Sequence, residues 1–358
     1  FNNINQCPCC AHRSRSGVVK SLNLGKDEGT ALIAQILYEV IDEGKVAKKK
    51  TEKLSLTRKG NNSSTEETAK VKQFLAFSDS RQQASFAAVF LDANYVRMMQ
   101  KRLIWKVVED SGYREIPVDE MVSRLTSIIK EESLFSSDLS AHKKAWITVL
   151  YDLLKVDGAY DGEGLGLYYF DLDIKDIMSQ IDEIEVKEAY GQYGITKADL
   201  ETIMQVVFGV FKVTPAISYV KSTLTPEEKL QALEYRRFDN YVMFHSPKST
   251  QGIRSFLPVR NGSNIVVRYI QKVFGCSNEM AKTVLNVLFN NLAVEGGLLK
   301  KHASKEAYQI DASKYIIKNY MNTEYYRCTK CGRLTPYNVH NICVQDKCDG
   351  TLVAVDPD

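Results

Sequence analysis

The sequence predicts a mainly α fold with small α/β and β parts, and three observations predict it. Between about Glu109 and Tyr241 apolar residues recur at helical spacing. Lys72–Leu91 reads as a short buried strand, a polar turn and a helix. Near the C-terminus Cys328, Cys331, Cys343 and Cys348 form two close pairs, the spacing of a small metal-pinned β unit. Five segments follow: 1–26, a cysteine knuckle; 27–108, an α/β start with a polar loop over 45–70; 109–256, a helical insertion; 257–318, a winged helix; and 319–358, a zinc ribbon.

At 358 residues, 44% hydrophobic and 25% charged, the chain has room for two or three domains with cores of their own. A net charge of +3 is too small to mark nucleic-acid binding by itself, so any DNA-binding charge must be local. No apolar run approaches the roughly 20 residues of a membrane span, and no membrane segment is expected. The eight cysteines cluster at 7–10 and 328–348, with Cys276 alone, which fits metal binding in a reducing cytoplasm better than a disulfide framework. The N-terminus carries neither a signal pattern nor an initiator Met and reads as cut from a longer chain.

In chain order, Cys7 and Cys10 form a CxxC, half of a zinc site, with His12 the adjacent candidate; free thiols are the other reading. Gly29–Glu43 carries a helical stripe of Leu32, Ile33, Ile36, Leu37 and Val40. Lys45–Lys70 is polar and charged and reads as an exposed connection.

Lys72–Phe77 is a strand-length apolar run, Ser78-Asp79-Ser80-Arg81 a polar turn, and from Gln82 the apolar residues Ala84, Ala87, Ala88 and Leu91 follow a helix. Free N–H groups at such a helix start, beside Arg81, suit a phosphate. A plain capped helix start fits the same residues.

FSDSRQQAS resembles the opening of the second RecA-like lobe of superfamily 2 DEAD/DEAH-box helicases, and is most similar to the large bacterial type tied to phage defence and DNA repair. FLPVRNGSN and RCTKCGRLTP add to the likeness, which spans nearly the whole chain as a middle portion of such a helicase. The resemblance implies that Ser78, Asp79, Ser80, Arg81 and Gln82 touch a nucleic-acid backbone. It also implies partners: single-stranded or forked DNA, the remaining helicase lobes, and defence or repair proteins.

The insertion shows four amphipathic stretches, MVSRLTSIIKEESLF, HKKAWITVLYDLLK, KDIMSQIDEIEVKEAYG and TKADLETIMQVVFGVFK. Thr196 with Asp199 reads as a capping box, and Thr225-Pro226-Glu227-Glu228 as a helix start with Pro in its first turn. Gly162–Asp173 reads as a turn leading into a strand.

Ile265, Val266, Tyr269, Ile270 and Val273 stripe one helix that Gly275 ends; Ser277 caps a second holding Met280, Val284, Leu285, Leu288 and Leu292. Leu298–Lys301 and Ala307–Ile310 then read as a hairpin, completing a winged-helix pattern. Lys282, Asn286 and Asn290 on the second helix, and Lys300, Lys301, His302 and Lys305 in the wing, are the candidates for DNA contact; packing against protein is the competing use.

In the ribbon, Gly332 and Asp349-Gly350 sit where the chain must turn beneath a metal, and His340 is a possible substitute ligand. Four protein ligands leave no open position for a catalytic water, so this zinc is expected to be structural. Arg327, Lys330 and Arg333 could hold phosphate or remain solvated. The chain carries no G-x-x-x-x-G-K-[ST] loop and no Asp-Glu magnesium box, so ATP and Mg2+ are expected only in the full-length parent, and no complete active site is expected here.

Overall fold

The computed structural model describes residues 44–47, 68–71, 81–131, 139–154, 162–163, 165–233, 240–245, 252–258, 262–321 and 323–355, with side chains from Val96 onward except 231–232. Lys20–Met99 forms one compact unit and the remainder of the chain a second. Cys7, Cys10, the helix expected over Gly29–Glu43, and Lys72–Ser80 with Ser78, Asp79 and Ser80 lie outside the described residues.

In the smaller unit β1 (Gly44–Ala47) pairs antiparallel with β2 (Thr68–Val71), Gly44 opposite Val71. The polar connection expected over 45–70 therefore has paired strands at both ends. Their sequences, GKVA and TAKV, each carry one lysine among small and apolar residues. The helix expected from Gln82 forms as α1 (Arg81–Asp110).

In the larger unit the last turns of α1 bury Leu103, Ile104, Val107 and Val108. Helix α2 (Val118–Glu131) buries Val118, Met121, Val122, Leu125 and Ile129, one stripe at helical spacing, with Asp119 and Glu120 in its first turn where the dipole favours them. Helix α3 (Ala141–Leu153), capped by Ser140, is buried on all sides from Ala145 to Leu153, including Asp152. Asp152 is satisfied by the Tyr168 hydroxyl, the Gly162 N–H and, at 3.9 Å, the Lys101 ammonium. The predicted capping box of Thr196 with Asp199 opens α5 (Lys197–Phe208), which follows α4 (Glu183–Tyr190), and the predicted helix start at Thr225 opens α6 (Pro226–Ala232) with a capping box of its own through Glu228. The stretch KDIMSQIDEIEVKEAYG is two helices, Lys175–Ser179 and α4, because Asp182 stops and recaps the chain.

The larger unit is mixed α/β rather than helical throughout 109–241. β3 (Ile116–Pro117), β4 (Tyr168–Leu172) and β5 (Ile217–Ser218) interrupt the helices. Of these, β4 begins inside the stretch expected to turn into a strand. Three sheets are described here: β3–β10–β4, β5–β9–β6–β7 with β8 paired to β9, and a C-terminal sheet of β12 (Leu334–Thr335), β11 (Tyr326–Cys328) and β13 (Leu352–Ala354) in that order. Here β6 is Tyr241–His245, β7 Ile253–Leu257, β8 Leu299–Lys301, β9 Tyr308–Asp311 and β10 Tyr315–Asn319. Because β10 lies between β3 and β4, and β9 pairs with both β5 and β6, strands of segments 109–256 and 257–318 share sheets.

Helix α7 (Ile265–Phe274) ends on Gly275 in the left-handed region (φ 57°), and Ser277 caps α8 (Asn278–Asn286) by accepting from the Met280 N–H at 3.3 Å. Two members of the expected stripes point outward: Ile265 is 41% and Met280 43% exposed. After α8 the helix widens to π winding over Val287–Val294. That extra residue per turn buries Phe289 instead of Leu292. Phe289 packs on Phe256 at 4.8 Å, Phe244 at 5.2 Å and Tyr308 at 5.5 Å between ring centres, forming the core under the four-stranded path.

Candidate metal centre and nucleic-acid interface

The C-terminal sheet is built from β11 (Tyr326–Cys328), β12 (Leu334–Thr335) and β13 (Leu352–Ala354), with β11 central and both pairings antiparallel. Strands this short bury little by themselves. The buried hydrophobic cluster of this sheet unit is Cys328, Cys343, Cys348 and Leu352, with Tyr326 and Cys331 packed against it. Cys328 leaves β11 into a tight turn that Gly332 closes at φ 73°, its N–H donating to the Cys328 carbonyl at 3.0 Å.

The four thiols converge. Cys328 Sγ lies 3.6 Å from Cys348 Sγ, Cys331 Sγ lies 3.7 Å from Cys343 Sγ, and all four sulfurs fall within 4.8 Å of one another. A tetrahedron with metal–sulfur bonds near 2.3 Å has sulfur–sulfur edges of about 3.8 Å, so the cluster could hold a metal ion such as zinc. The Lys330 and Gln345 N–H groups donate to Cys328 and Cys343 sulfurs at 3.4 Å each, as a thiolate would want. Burial pushes the Cys328 thiol up, but the N–H groups of Cys331 and Lys330 and the adjacent thiols outweigh it and lower its pKa to about 7. A Cβ on Gly350 would sit 2.5 Å from Cys328 Sγ and 2.6 Å from Lys330 Cβ, so this position has room only for glycine.

His340, the alternative ligand, is held elsewhere. Its ring nitrogens lie 3.3 Å from the Val273 carbonyl oxygen and 3.2 Å from that of Gly194. Two residues unmarked by sequence reasoning, Arg268 and Lys272, hold the knuckle to α7. Arg268 pairs with Asp346, and Lys272 Nζ donates to the Cys348 carbonyl at 2.6 Å. Their signal is a pair of cations one helical turn apart on an otherwise uncharged helix.

The nucleic-acid candidates are spread over several elements. Arg81 and Gln82 open α1 in the smaller unit. Lys282 is half-buried on α8, and Asn290 donates one N–H to Asn286 Oδ1 at 2.7 Å. Lys300 and Lys305 are exposed, Lys300 in β8 and Lys305 in the β8–β9 turn, with no acidic partner among the described residues. Lys301 is paired with Glu306, which also accepts from the Tyr308 hydroxyl at 3.0 Å. His302 packs edge-on against Tyr241 at 4.8 Å. Beside the four-cysteine cluster, Lys330 pairs with Asp349 and Arg333 donates to Gln345, while Arg327 stands exposed at the centre of the sheet face.

Comparison with protein families, curated proteins and solved structures gives no match. Among the described residues no helix is long and apolar enough to cross a membrane.

Proposed function

We propose that this chain is a nucleic-acid-binding, accessory portion of an ATP-dependent DNA helicase or translocase, with ATP and Mg2+ handled by other parts of the full-length parent. In this reading 27–108 opens the second RecA-like lobe, α7, α8, β8 and β9 form a winged helix, and β11–β13 form a zinc ribbon whose ion is structural. The observation that carries it is the β8–β9 hairpin, which presents Lys300 and Lys305 to solvent with no carboxylate partner among the described residues. Such cations gain most from a phosphate chain, through counterion release. The neighbouring helix α8 carries one cation, the half-buried Lys282, and Glu279 in its first turn, so backbone contact by the wing is the favoured mode.

The test is binding of the chain to single-stranded and forked DNA at two salt concentrations. Binding must weaken as salt rises; no measurable binding at low salt would overturn the reading.

A second reading is a protein-interaction module of a defence or repair complex. It is favoured by one face of the C-terminal sheet, where Leu334 (37% exposed) and Val353 (47% exposed) flank Arg327 across the three strands. Capture of a repair or defence protein that survives high salt, together with absent DNA affinity, would select it.

A further inference from the structure

The strands β8, β9, β6 and β7 form a sheet with two unlike faces. Lys301 stands opposite Tyr308, Tyr308 opposite Val242, and Val242 opposite Arg254, so these four share one face. Two residues further along their strands, Phe244 and Phe256 continue that face and pack on Phe289, which makes it the core side. The adjoining row, with Lys300 opposite Gln309 and Tyr241 opposite Ile253, points the other way.

That second face is partly open. Tyr241, Met243, Ile253 and His302 are half-buried, and Lys300 is exposed. His302 Nδ1 accepts the Ser304 N–H at 3.1 Å, which holds the imidazole in the turn, and its ring meets Tyr241 edge-on at 4.8 Å between centres. In an edge-to-face pair each ring keeps at least one face clear of the other, room for a flat base to lie on.

The charge beside the rings is positive. Lys300 and Lys305 have no acidic partner among the described residues, whereas Glu306 is taken by Lys301 and the Tyr308 hydroxyl. Asp311, two residues from Gln309 along β9, is turned onto Ser313, accepting from its N–H at 3.0 Å and its hydroxyl at 2.7 Å. Rings next to unpartnered cations on a sheet face match a single strand, whose bases offer flat π-faces and whose phosphates carry charge; a duplex keeps those faces inside its stack.

We propose that this face of the sheet binds single-stranded nucleic acid, with bases stacked on the Tyr241–His302 pair and the adjoining phosphates on Lys300 and Lys305. The proposal rests on the nucleic-acid reading of the wing and adds to it a contact that tells a base from a bare backbone.

The experiment titrates the whole chain with oligo-dT of about 12 nucleotides and with an abasic strand of the same length, at two salt concentrations. Oligo-dT is expected to bind at least about fivefold tighter, since the phosphates are the same and only the bases differ. A Tyr241→Leu, His302→Ala double variant, shown to be folded by circular dichroism, should lose that preference with its salt slope unchanged, and Tyr241→Phe should keep it. Equal binding of the two strands by the unaltered chain would overturn the proposal and leave the wing lysines as a backbone contact. Retention of the preference by the folded double variant would also overturn it, and so would poly-glutamate binding as tightly as oligo-dT, which would assign the face to an acidic polypeptide. No binding of either strand at low salt would overturn both this proposal and the reading beneath it.

Discussion

Arg268 and Asp346 form a two-pronged ion pair, Nε to Oδ1 at 2.7 Å and Nη2 to Oδ2 at 2.8 Å. One turn further along α7, Lys272 reaches the carbonyl of Cys348, so the same helix face grips the chain just before and at a cysteine of the four-thiol cluster. Both side chains of the ion pair are about three-tenths exposed, which limits its strength. Arg268→Gln should lower the unfolding free energy by about 1 kcal/mol. A denaturant midpoint shift with unchanged slope would register it.

Glycine at 350 is a geometric demand. An alanine there would drive its methyl into the Cys328 sulfur. Gly350→Ala should lose bound metal on gel filtration. Gly332→Ala, which must hold φ 73° but keeps the ligand geometry, should retain metal at a cost of about 1–2 kcal/mol. Equal metal content in Gly350→Ala and the parent chain would contradict the cluster geometry.

Removing the metal tests the same centre from the other side. Once a strong chelator has taken the ion, or Cys343→Ser has deleted a ligand, β11–β13 have little apolar core to hold them. The expected outcome is a lowered melting temperature and rapid reaction of Cys328, Cys331 and Cys348 with a thiol reagent. Unaltered melting and protected thiols would show that the cluster is not a metal site.

Half-buried Lys318 joins two carboxylates at the first sheet, 3.0 Å from Asp171 and 3.3 Å from Glu115. Burial pulls its ammonium down, but the Asp171 carboxylate more than offsets that, and its pKa is raised. Its stabilisation is therefore complete below the unfolded lysine value near 10.4 and is lost as pH climbs through the folded value. Lys318→Met takes away the ion-pair partner of Asp171, whose pKa burial already raises, and leaves it the Tyr337 hydroxyl; the change should cost about 2 kcal/mol at neutral pH. Because a raised carboxyl binds its proton longer in the folded chain, that deficit should shrink as pH falls toward the unfolded Asp value near 3.9. The added change Asp171→Asn should recover most of it; denaturation curves at acid and neutral pH read both effects.

Glu306 holds Lys301 out of play, and Lys301 in turn keeps the Glu306 carboxyl below its ordinary range. If the wing meets phosphate, Glu306→Gln should free a cation and strengthen low-salt DNA binding by roughly twofold to fivefold. Anisotropy titrations would detect the change, and weaker binding by the variant would count against a wing contact.

Local chemistry was legible in the sequence. Cysteine spacing anticipated a cluster that could hold metal, and Ser277, Gly275, Thr196 and Thr225 marked helix ends that form as expected. Pairings between distant segments were not legible. β10 inserts between β3 and β4, strands of two and five residues far upstream, and runs that short carry too little periodicity to announce a partner. The π winding that turns Phe289 inward left no mark in a 3.6-residue count, and Arg268 and Tyr269 looked like ordinary members of an amphipathic helix.

The most direct measurement compares low-salt binding of a forked DNA by the chain and by its Lys300→Gln, Lys305→Gln double variant, with circular dichroism to confirm that both are folded. The account predicts clear loss of affinity and a shallower salt slope, by about one to two, in the variant. Equal affinity and equal slope would contradict it.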